Sequence, residues 1–338
     1  MMSTPKPPSP DLFFDVIFAY QRSAALKAAI QLDVFTAIGD GARTVTDIAD
    51  RCHATERGTR ILCDNLTIMG FLTKAGDTYQ LTPDSAMFLT KRSPAYLGAT
   101  VEFLHSPDLM ASVGGLAETI RSGTVASALA NIVTDEHPAW VRFAQAMVPM
   151  MMPPAQAIAD ILDVASAGPI HVLDIAASHG IFGIVIAQRN PAAHIVGVDW
   201  APVIAVATEN AEAMGVGGRY QVLAGDAFKV EYGTGFDVVL IPNFLHHFDR
   251  RTCVDLLKKT ARALKAGGRV VVLEFVPNDD RVSPPFAAGF SLQMLLATPS
   301  GDAYTFRDIQ GMLTEAGFTD VTAHPLPGPQ TVIVGTRV

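Results

Sequence analysis

The segment from Val172 to Asp199 constrains the fold more than any other part of the chain. Val172-Leu173-Asp174-Ile175 is a short apolar run with strand character. Small and turn-forming residues come next, Ala176-Ala177-Ser178-His179-Gly180, then an apolar stretch opening with Ile181-Phe182-Gly183, then a second run, Val196-Gly197-Val198, that ends in Asp199. Strand, tight turn, helix and strand make a parallel unit in which small residues let the backbone approach a ligand. An acid at the end of the second strand, nineteen residues beyond Gly180, is placed to accept hydrogen bonds from ribose hydroxyls.

Two cofactor classes use that geometry. A dinucleotide enzyme needs main-chain amides against a pyrophosphate, but Ala176 and Ser178 stand where glycines are expected, and Asp174 adds a carboxylate that would repel a pyrophosphate. A carboxylate there suits the ammonium and sulfonium of S-adenosylmethionine. An ordinary αβ unit with a turn glycine would account for these residues alone, but the order of the downstream elements argues against it. A third strand over 220–224 leads into Gly225-Asp226-Ala227-Phe228, whose acid is placed to hold the adenine or its ribose. A fourth over 236–241 leads into Asn243-Phe244-Leu245-His246-His247-Phe248-Asp249. Residues 264–269 end a helix with glycines suited to a left-handed cap, and 270–274 form a fifth strand. A helix over 306–316 and strands over 321–326 and 331–337, joined at Pro327-Gly328-Pro329, complete the series. Helical crossovers give parallel strands and a short hairpin gives antiparallel ones, so the expected fold is α/β, a doubly wound Rossmann-like sheet with an antiparallel last strand.

The first hundred residues carry a different pattern. Residues 11–32 are apolar at helical spacing, with Phe14, Ile17, Phe18, Ala25, Leu26 and Ala29 available for one broad face. Thr44-Val45-Thr46-Asp47 marks a helix start, 57–69 continue as a second helix, and 70–82 read as a hairpin turning at Gly76-Asp77. Helix, helix and hairpin make a mainly helical winged-helix module. At 338 residues, 49% hydrophobic and 17% charged, the chain is long enough for about two domains. The expected divisions are 11–96 for the winged helix, 97–165 for a helical connector and 166–338 for the cofactor-binding domain.

Several function classes are disfavoured. Winged helices commonly dock on DNA, but a net charge of −8 and only Arg57 and Arg60 on the second helix do not supply the phosphate neutralisation on which such affinity depends. No apolar run is long enough to span a bilayer, and residues 1–8 lack the apolar core of a signal peptide, so no membrane association and a cytoplasmic location are expected. Cys52, Cys63 and Cys253 are scattered, without the spacing of a disulfide framework or a metal site.

The ordered motifs resemble those of class I S-adenosylmethionine-dependent methyltransferases, and more narrowly the dimeric small-molecule O-methyltransferases of the plant caffeic acid, acetylserotonin and bacterial polyketide types. The resemblance spans roughly residues 11 to 338. Its most specific pieces are Leu245-His246, the spacing of Phe143 and Met147, and Met294-Leu295-Leu296-Ala297-Thr298-Pro299-Ser300-Gly301-Asp302-Ala303-Tyr304-Thr305, which matches the family pattern Met-Leu-x-x-Asn-Pro-Gly-Gly-x-Glu-Arg-Thr. The resemblance implies that Asp174, Ala176, Gly180, Asp199, Trp200, Asp226, Ala227, Phe228 and Asn243 bind the cofactor. It implies that Phe143, Met147, His247, Met294 and Thr298 contact the acceptor, and that the winged-helix domain forms a homodimer. His246 matches the catalytic base, and Glu274 one of its two flanking glutamates; Ala303 stands at the other. His247 and Phe248 replace an Asp and a Trp, Pro242 replaces a lysine, and Ala176, Ala177 and Ser178 replace glycines, a change that cofactor binding tolerates if the alanine backbone keeps a negative φ.

The chemistry is set by what methyl transfer requires. The cofactor carries its own leaving group, so the protein must align donor and acceptor and exclude water. A phenol, with a pKa near 10, remains protonated at neutral pH, so a histidine that removes its proton during attack contributes roughly 10² to 10⁴-fold. His246 is the expected base, Glu274 its orienting carboxylate, and an aromatic or polyketide-like small molecule the expected acceptor. His179 lies in the cofactor turn, where a structural role or contact with the methionine moiety is expected. Transfer to carbon or nitrogen with the same cofactor, or a non-methylating reaction, stays open at this point. A nicotinamide oxidoreductase or a transcriptional regulator fits the motifs less well.

Overall fold

The computed structural model describes residues 7–125 and 138–338, and these fall into two units divided between Val101 and Glu102.

The first unit is helical with one hairpin: α1 (Asp11–Ile17), α2 (Ala19–Gln31), α3 (Val34–Gly39), α4 (Val45–Arg51), α5 (Glu56–Ile68), β1 (Leu72–Ala75), β2 (Thr78–Leu81) and α6 (Pro83–Phe88). The Thr44 hydroxyl accepts from the Asp47 N–H, and the Asp47 carboxylate accepts in return from the Thr44 N–H, each at 3.2 Å. This reciprocal cap meets two of the donors that a helix start leaves bare. Thr55 starts α5 in the same way, accepting from the Gly58 N–H. The continuous helix expected over 11–32 is instead two helices. At Phe18 the ladder tightens to an i→i+3 bond from the Gln21 N–H, and ψ rises to near zero. Only the far end of its apolar face enters the core, with Leu26, Ala29 and Ile30 packing among Phe35, Ile38, Ile48, Leu66 and Tyr79. Leu12, Phe13, Phe14, Val16, Ile17, Phe18 and Tyr20 are exposed.

The division falls at the first residue of α7 (Val101–Leu104), and the second unit continues with the short helices α8 (Pro107–Gly114) and α9 (Leu116–Ser122) and the long α10 (Pro138–Ile161). α10 continues through Pro149, Pro153 and Pro154, each of which removes a helical N–H donor. The helix holds because its apolar side, including Met147, Met151, Ala155 and Ile158, is buried in the core, and tertiary packing dominates helix stability.

The remaining elements are β3 (His171–Ile175), α11 (Ile181–Arg189), β4 (His194–Asp199), α12 (Ala201–Ala213), β5 (Tyr220–Ala224), β6 (Phe236–Pro242), α13 (Arg250–Ala263), β7 (Leu264–Glu274), α14 (Pro285–Ala297), α15 (Phe306–Glu315), β8 (Phe318–Pro325) and β9 (Thr331–Arg337). They form a seven-stranded sheet of order β5-β4-β3-β6-β7-β9-β8. β9 runs antiparallel to both its neighbours and the other pairings are parallel, so only the last strand reverses. Alternation along the strands fills both faces: Val271 and Leu273 join the core under α10 and α11, while Val270 and Val272 join the one under α13 and α15.

Two boundaries differ from expectation. α13 stops at Ala263, and Leu264 is already extended. Gly267 takes φ +75° within a bulge between the Phe236–Leu264 and Val238–Arg269 pairings, so the glycines shape the strand rather than cap the helix. β8 also begins earlier, at Phe318. The winding reverses between β3 and β6, and the loops after β3, β4 and β6 meet at the carboxyl ends of these strands, where open α/β sheets bind ligands.

Candidate active site

The turn after β3 is built on backbone that side chains normally avoid. Ala176, Ser178 and Gly180 have φ of +54°, +52° and +74°. The left-handed conformation costs a non-glycine residue roughly 1–2 kcal/mol, so the negative φ expected for Ala176 does not occur and the turn is held by its bonds. The Asp199 carboxylate accepts from the Ser178 N–H at 2.8 Å and the Trp200 N–H at 2.7 Å. The Ala177 N–H donates to the Val198 carbonyl, and the Gly180 N–H to the Ala177 carbonyl. Gly180 is required on two counts, since a Cβ there would also lie 2.8 Å from the Ala207 Cβ and 2.9 Å from the Tyr220 hydroxyl. His179 accepts the Ile181 N–H at Nδ1, which leaves its proton on Nε2. Burial lowers its pKa to about 4.

Asp174 lies behind this turn. It is fully buried and accepts from the Gly183 N–H through Oδ2, while Oδ1 has no hydrogen-bond partner among the described residues. Burial, opposed by the Gly183 bond and reinforced by Asp199, raises its pKa to about 8. Asp199 is raised to about 6, again by burial.

On the other side of the winding reversal, β6 delivers Asn243, at φ +53°, and a 3₁₀ turn over Leu245–His247. Glu274, at the end of β7, grips this turn twice. Oε2 lies 2.5 Å from His246 Nδ1, and Oε1 accepts the His246 N–H at 3.3 Å. A carboxylate only accepts, so Nδ1 carries a proton, and in the neutral ring the lone pair is on Nε2. From a third direction the Asp302 N–H donates to the His246 carbonyl at 3.0 Å. Gly301 allows this approach, because a Cβ there would sit 2.2 Å from that carbonyl oxygen. Thr298 makes the turn itself, with its hydroxyl donating to the Met294 carbonyl and accepting the Gly301 N–H, each at 2.8 Å. His247 Nδ1 donates to the Phe244 carbonyl at 3.2 Å, and burial next to His246 holds its pKa well below 6.5.

Both turns open on one cavity of about 560 Å³ within the second unit, in the range typical of small-molecule sites. Of the residues singled out from the sequence, Phe143, Met147, Ala176, Asp199, Trp200, Asn243, His246, His247 and Met294 line it, as does His179. Asp174, Gly180, Glu274 and Thr298 stand behind the wall and shape it. Asp226, Ala227 and Phe228 are outside the lining; Asp226 accepts the Phe228 N–H and pairs with Lys229, and Phe228 packs on Phe248. Lining residues that the sequence reading missed include Phe103, Trp140, Phe275, Phe286 and Phe290. Phe286, Phe290, Met294 and Ala297 repeat at helical spacing on α14, a pattern visible in the sequence. Asn243 has its side chain committed elsewhere, accepting from Gln330 at 2.5 Å and donating to Met151 Sδ.

The donor set fits S-adenosylmethionine. Asp199 is a half-buried carboxylate on the cavity wall whose protein partners are two N–H groups, one to each oxygen. Beside it the buried Ser178 hydroxyl has no hydrogen-bond partner among the described residues. Ribose hydroxyls would supply the donors that this carboxylate lacks. No group of metal-ligating side chains occurs among the described residues, and no helix among them is long and apolar enough to cross a membrane.

Comparison with known proteins agrees with this arrangement. Residues 135–319 match the family model of the O-methyltransferase domain, and residues 14–91 that of the O-methyltransferase dimerisation domain. A solved structure from Nostoc punctiforme, classed as an O-methyltransferase, is 51% identical with a TM-score of 0.93, over 98% of this chain and 100% of that one. The tetracenomycin polyketide synthesis 8-O-methyltransferase of Streptomyces glaucescens is 26% identical over 97% of each chain. The L-tyrosine C(3)-methyltransferase of Streptomyces lavendulae is 33% identical over 54% of this chain and 50% of its own length. With a domain match over more than half its length and a close structural relative over nearly all of it, the chain belongs to the O-methyltransferase family, enzymes that take their methyl group from S-adenosylmethionine.

Proposed function

We propose that this enzyme methylates a hydroxyl group of an aromatic or polyketide-like small molecule, with His246 as the general base. The carrying observation is the Glu274 grip on His246, which fixes one tautomer and leaves Nε2 as a lone-pair acceptor inside an apolar cavity that also holds Asp199. S-adenosylmethionine supplies an activated methyl group with its leaving group attached. Asp199, Ala176, Ser178 and Trp200 hold the nucleoside, and Phe143, Met147 and Met294 form an apolar wall against the acceptor. His246 takes the hydroxyl proton at Nε2, and the Glu274 carboxylate stabilises the resulting imidazolium, as in other carboxylate-oriented histidines. The polyketide-directed relative from Streptomyces glaucescens supports this class of acceptor. The first unit, matched to the dimerisation domain and carrying an exposed apolar amino-terminal helix, is read as the surface of a homodimer.

The partial relative that methylates tyrosine at carbon keeps one rival in view, in which His246 positions the acceptor without deprotonating it. Incubation with labelled S-adenosylmethionine and a panel of phenols, quinols and amines, with the methyl located by NMR, separates the two. His246→Ala should lower transfer to a hydroxyl by roughly 10² to 10⁴-fold with little change in S-adenosylhomocysteine affinity. The deficit should shrink as pH approaches 10 and the phenol ionises by itself. Near-full activity of His246→Ala across that range on a good hydroxyl acceptor would remove the base from the mechanism.

A further inference from the structure

Gln330 is buried just before β9, and its two ends face different parts of the fold. Its carbonyl accepts the Leu326 N–H at 3.0 Å, closing the turn through Pro327-Gly328-Pro329, and the next residue, Thr331, pairs with Glu274 at the end of β7. Its side-chain amide reaches further and donates to Asn243 Oδ1, beyond the end of β6, at 2.5 Å. Because β7 lies between β6 and β9 in the sheet, this bond joins two strands that do not pair with each other and spans the end of the strand that carries Glu274.

The residue held in this way is itself a junction. Asn243 has a left-handed backbone, a conformation that a non-glycine residue keeps where its surroundings impose it, and His246 follows three residues later. Its N–H donates to the Leu273 carbonyl at 2.8 Å, and its Nδ2 to Met151 Sδ at 3.4 Å. A thioether sulfur only accepts, which turns Nδ2 toward Met151 and Oδ1 toward Gln330 and makes Gln330 the donor. Met151 lines the cavity from α10, between Pro149 and Pro153, where the prolines withdraw ladder bonds and contacts from outside the helix matter more. One buried amide thus connects β9, the turn that carries His246 and the methionine wall of the cavity.

Resting on the reading of His246 as base, we propose that Gln330 is a positioning residue for methyl transfer: acting through Asn243, it keeps the His246 turn in register with Glu274 and with the Met151 wall. Gln330 stands outside the cavity lining, so its influence passes through other residues. Losing its donor leaves the Asn243 oxygen desolvated and unpaired, which costs more than the bond gains when made. Asn243 relieves that cost by turning its amide and backbone, and the turn that carries His246 moves with it. Transfer rates depend steeply on such alignment, whereas cofactor affinity rests on the turn after β3.

A double-mutant cycle in the full-length enzyme tests this, with the best hydroxyl acceptor of the phenol and quinol panel as probe. Gln330→Met keeps the length of the side chain and loses the donor. It should lower kcat about tenfold, with the acceptor KM and S-adenosylhomocysteine affinity within about threefold of the wild type, and the deficit should narrow toward pH 10 as for His246→Ala. Asn243→Gly keeps the left-handed backbone and should lose about as much. Adding Gln330→Met to it should cost less than about twofold more, because the two residues act in series. In enzyme labelled with ¹⁵N-histidine, the Nδ1 proton resonance of His246, assigned by its loss in His246→Ala, should move or broaden in Gln330→Met, a readout that needs no acceptor. Losses that multiply in the double variant, or an unmoved His246 resonance in Gln330→Met, overturn the proposal while leaving His246 as base. His246→Ala with near-full activity across the pH range overturns the base reading and this inference with it.

Discussion

The turn after β3 and the turn after β6 face each other across one cavity and use the same unusual device, non-glycine residues in the left-handed region. They differ in how their polar groups are met. After β6 the named groups are bonded within the protein: His246 to Glu274 through ring and backbone, His247 to Phe244, and Asn243 to Gln330. After β3, Asp174 Oδ1 and the Ser178 hydroxyl are buried without partners among the described residues, and Asp199 bears a carboxyl that burial pushes up to about 6. Native structures rarely leave such groups unmet without reason. On the proposed reading, the acceptor end is preorganised by its own bonds, whereas the cofactor end is completed by what binds there.

The contrast can be broken most directly at Glu274, which the proposed mechanism makes a positioning residue. Glu274→Gln offers one acceptor oxygen where two donors, the ring Nδ1–H and the His246 N–H, now bind. Transfer should fall by about 10 to 10²-fold with S-adenosylhomocysteine affinity unchanged, since removing a partner that orients a functional histidine typically has that effect. The loss should narrow at high pH, as for His246→Ala; a uniform loss at every pH would mean that Glu274 only supports the fold.

At the other end the affected quantity should be affinity. Asp199→Asn removes the charge and turns one donor against the Ser178 or Trp200 N–H, so S-adenosylhomocysteine binding should weaken about tenfold to a hundredfold while the rate at saturation changes little. Wild-type affinity should decline as pH falls below about 6, because protonated Asp199 cannot accept from two ribose hydroxyls and two main-chain donors together. Titration calorimetry from pH 5 to 7.5 should show this slope in the wild type and none in Asp199→Asn. Equal slopes in the two would place the titrating group elsewhere.

Legibility in the sequence divides along the same line. The succession of strands and crossover helices along the chain was legible because apolar runs and turn residues alternate at fixed periods, and His246 because Leu245-His246 follows the fourth strand and matches the family motif. The hidden features depend on contacts distant in sequence or on backbone angles. The left-handed φ of Ala176 and Ser178 is imposed by Asp199 from the next strand, and nothing in small side chains announces it. Asp174 is indistinguishable by residue type from an acid on the cavity wall, but it lies behind the turn. The Gln330 bond to Asn243 joins residues far apart in the chain. The helical repeat of Phe286, Phe290, Met294 and Ala297 on α14 was there to be read, but Pro285–Ala297 is apolar on nearly every side, so no contrasting polar face set that stripe apart.

The smallest effect expected concerns stability, and it tests whether the cofactor turn is unsatisfied in the free protein. Asp174 titrates near 3.8 when unfolded and near 8 when folded. The folded state therefore holds the proton more tightly, and the stability this contributes is complete below about 3.8, declines as pH rises, and is lost through about 8. Asp174→Asn keeps an oxygen for the Gly183 N–H and removes the linkage. Without ligand, the variant and the wild type should melt at similar temperatures near pH 5, and the variant should gain progressively, reaching on the order of a few degrees by pH 8. Scanning calorimetry at pH 5, 6.5 and 8 measures the trend. A variant that is less stable by the same margin at all three would show that the turn needs the carboxylate charge itself. The two ends of the cavity would then differ less in electrostatic satisfaction than their hydrogen bonds imply.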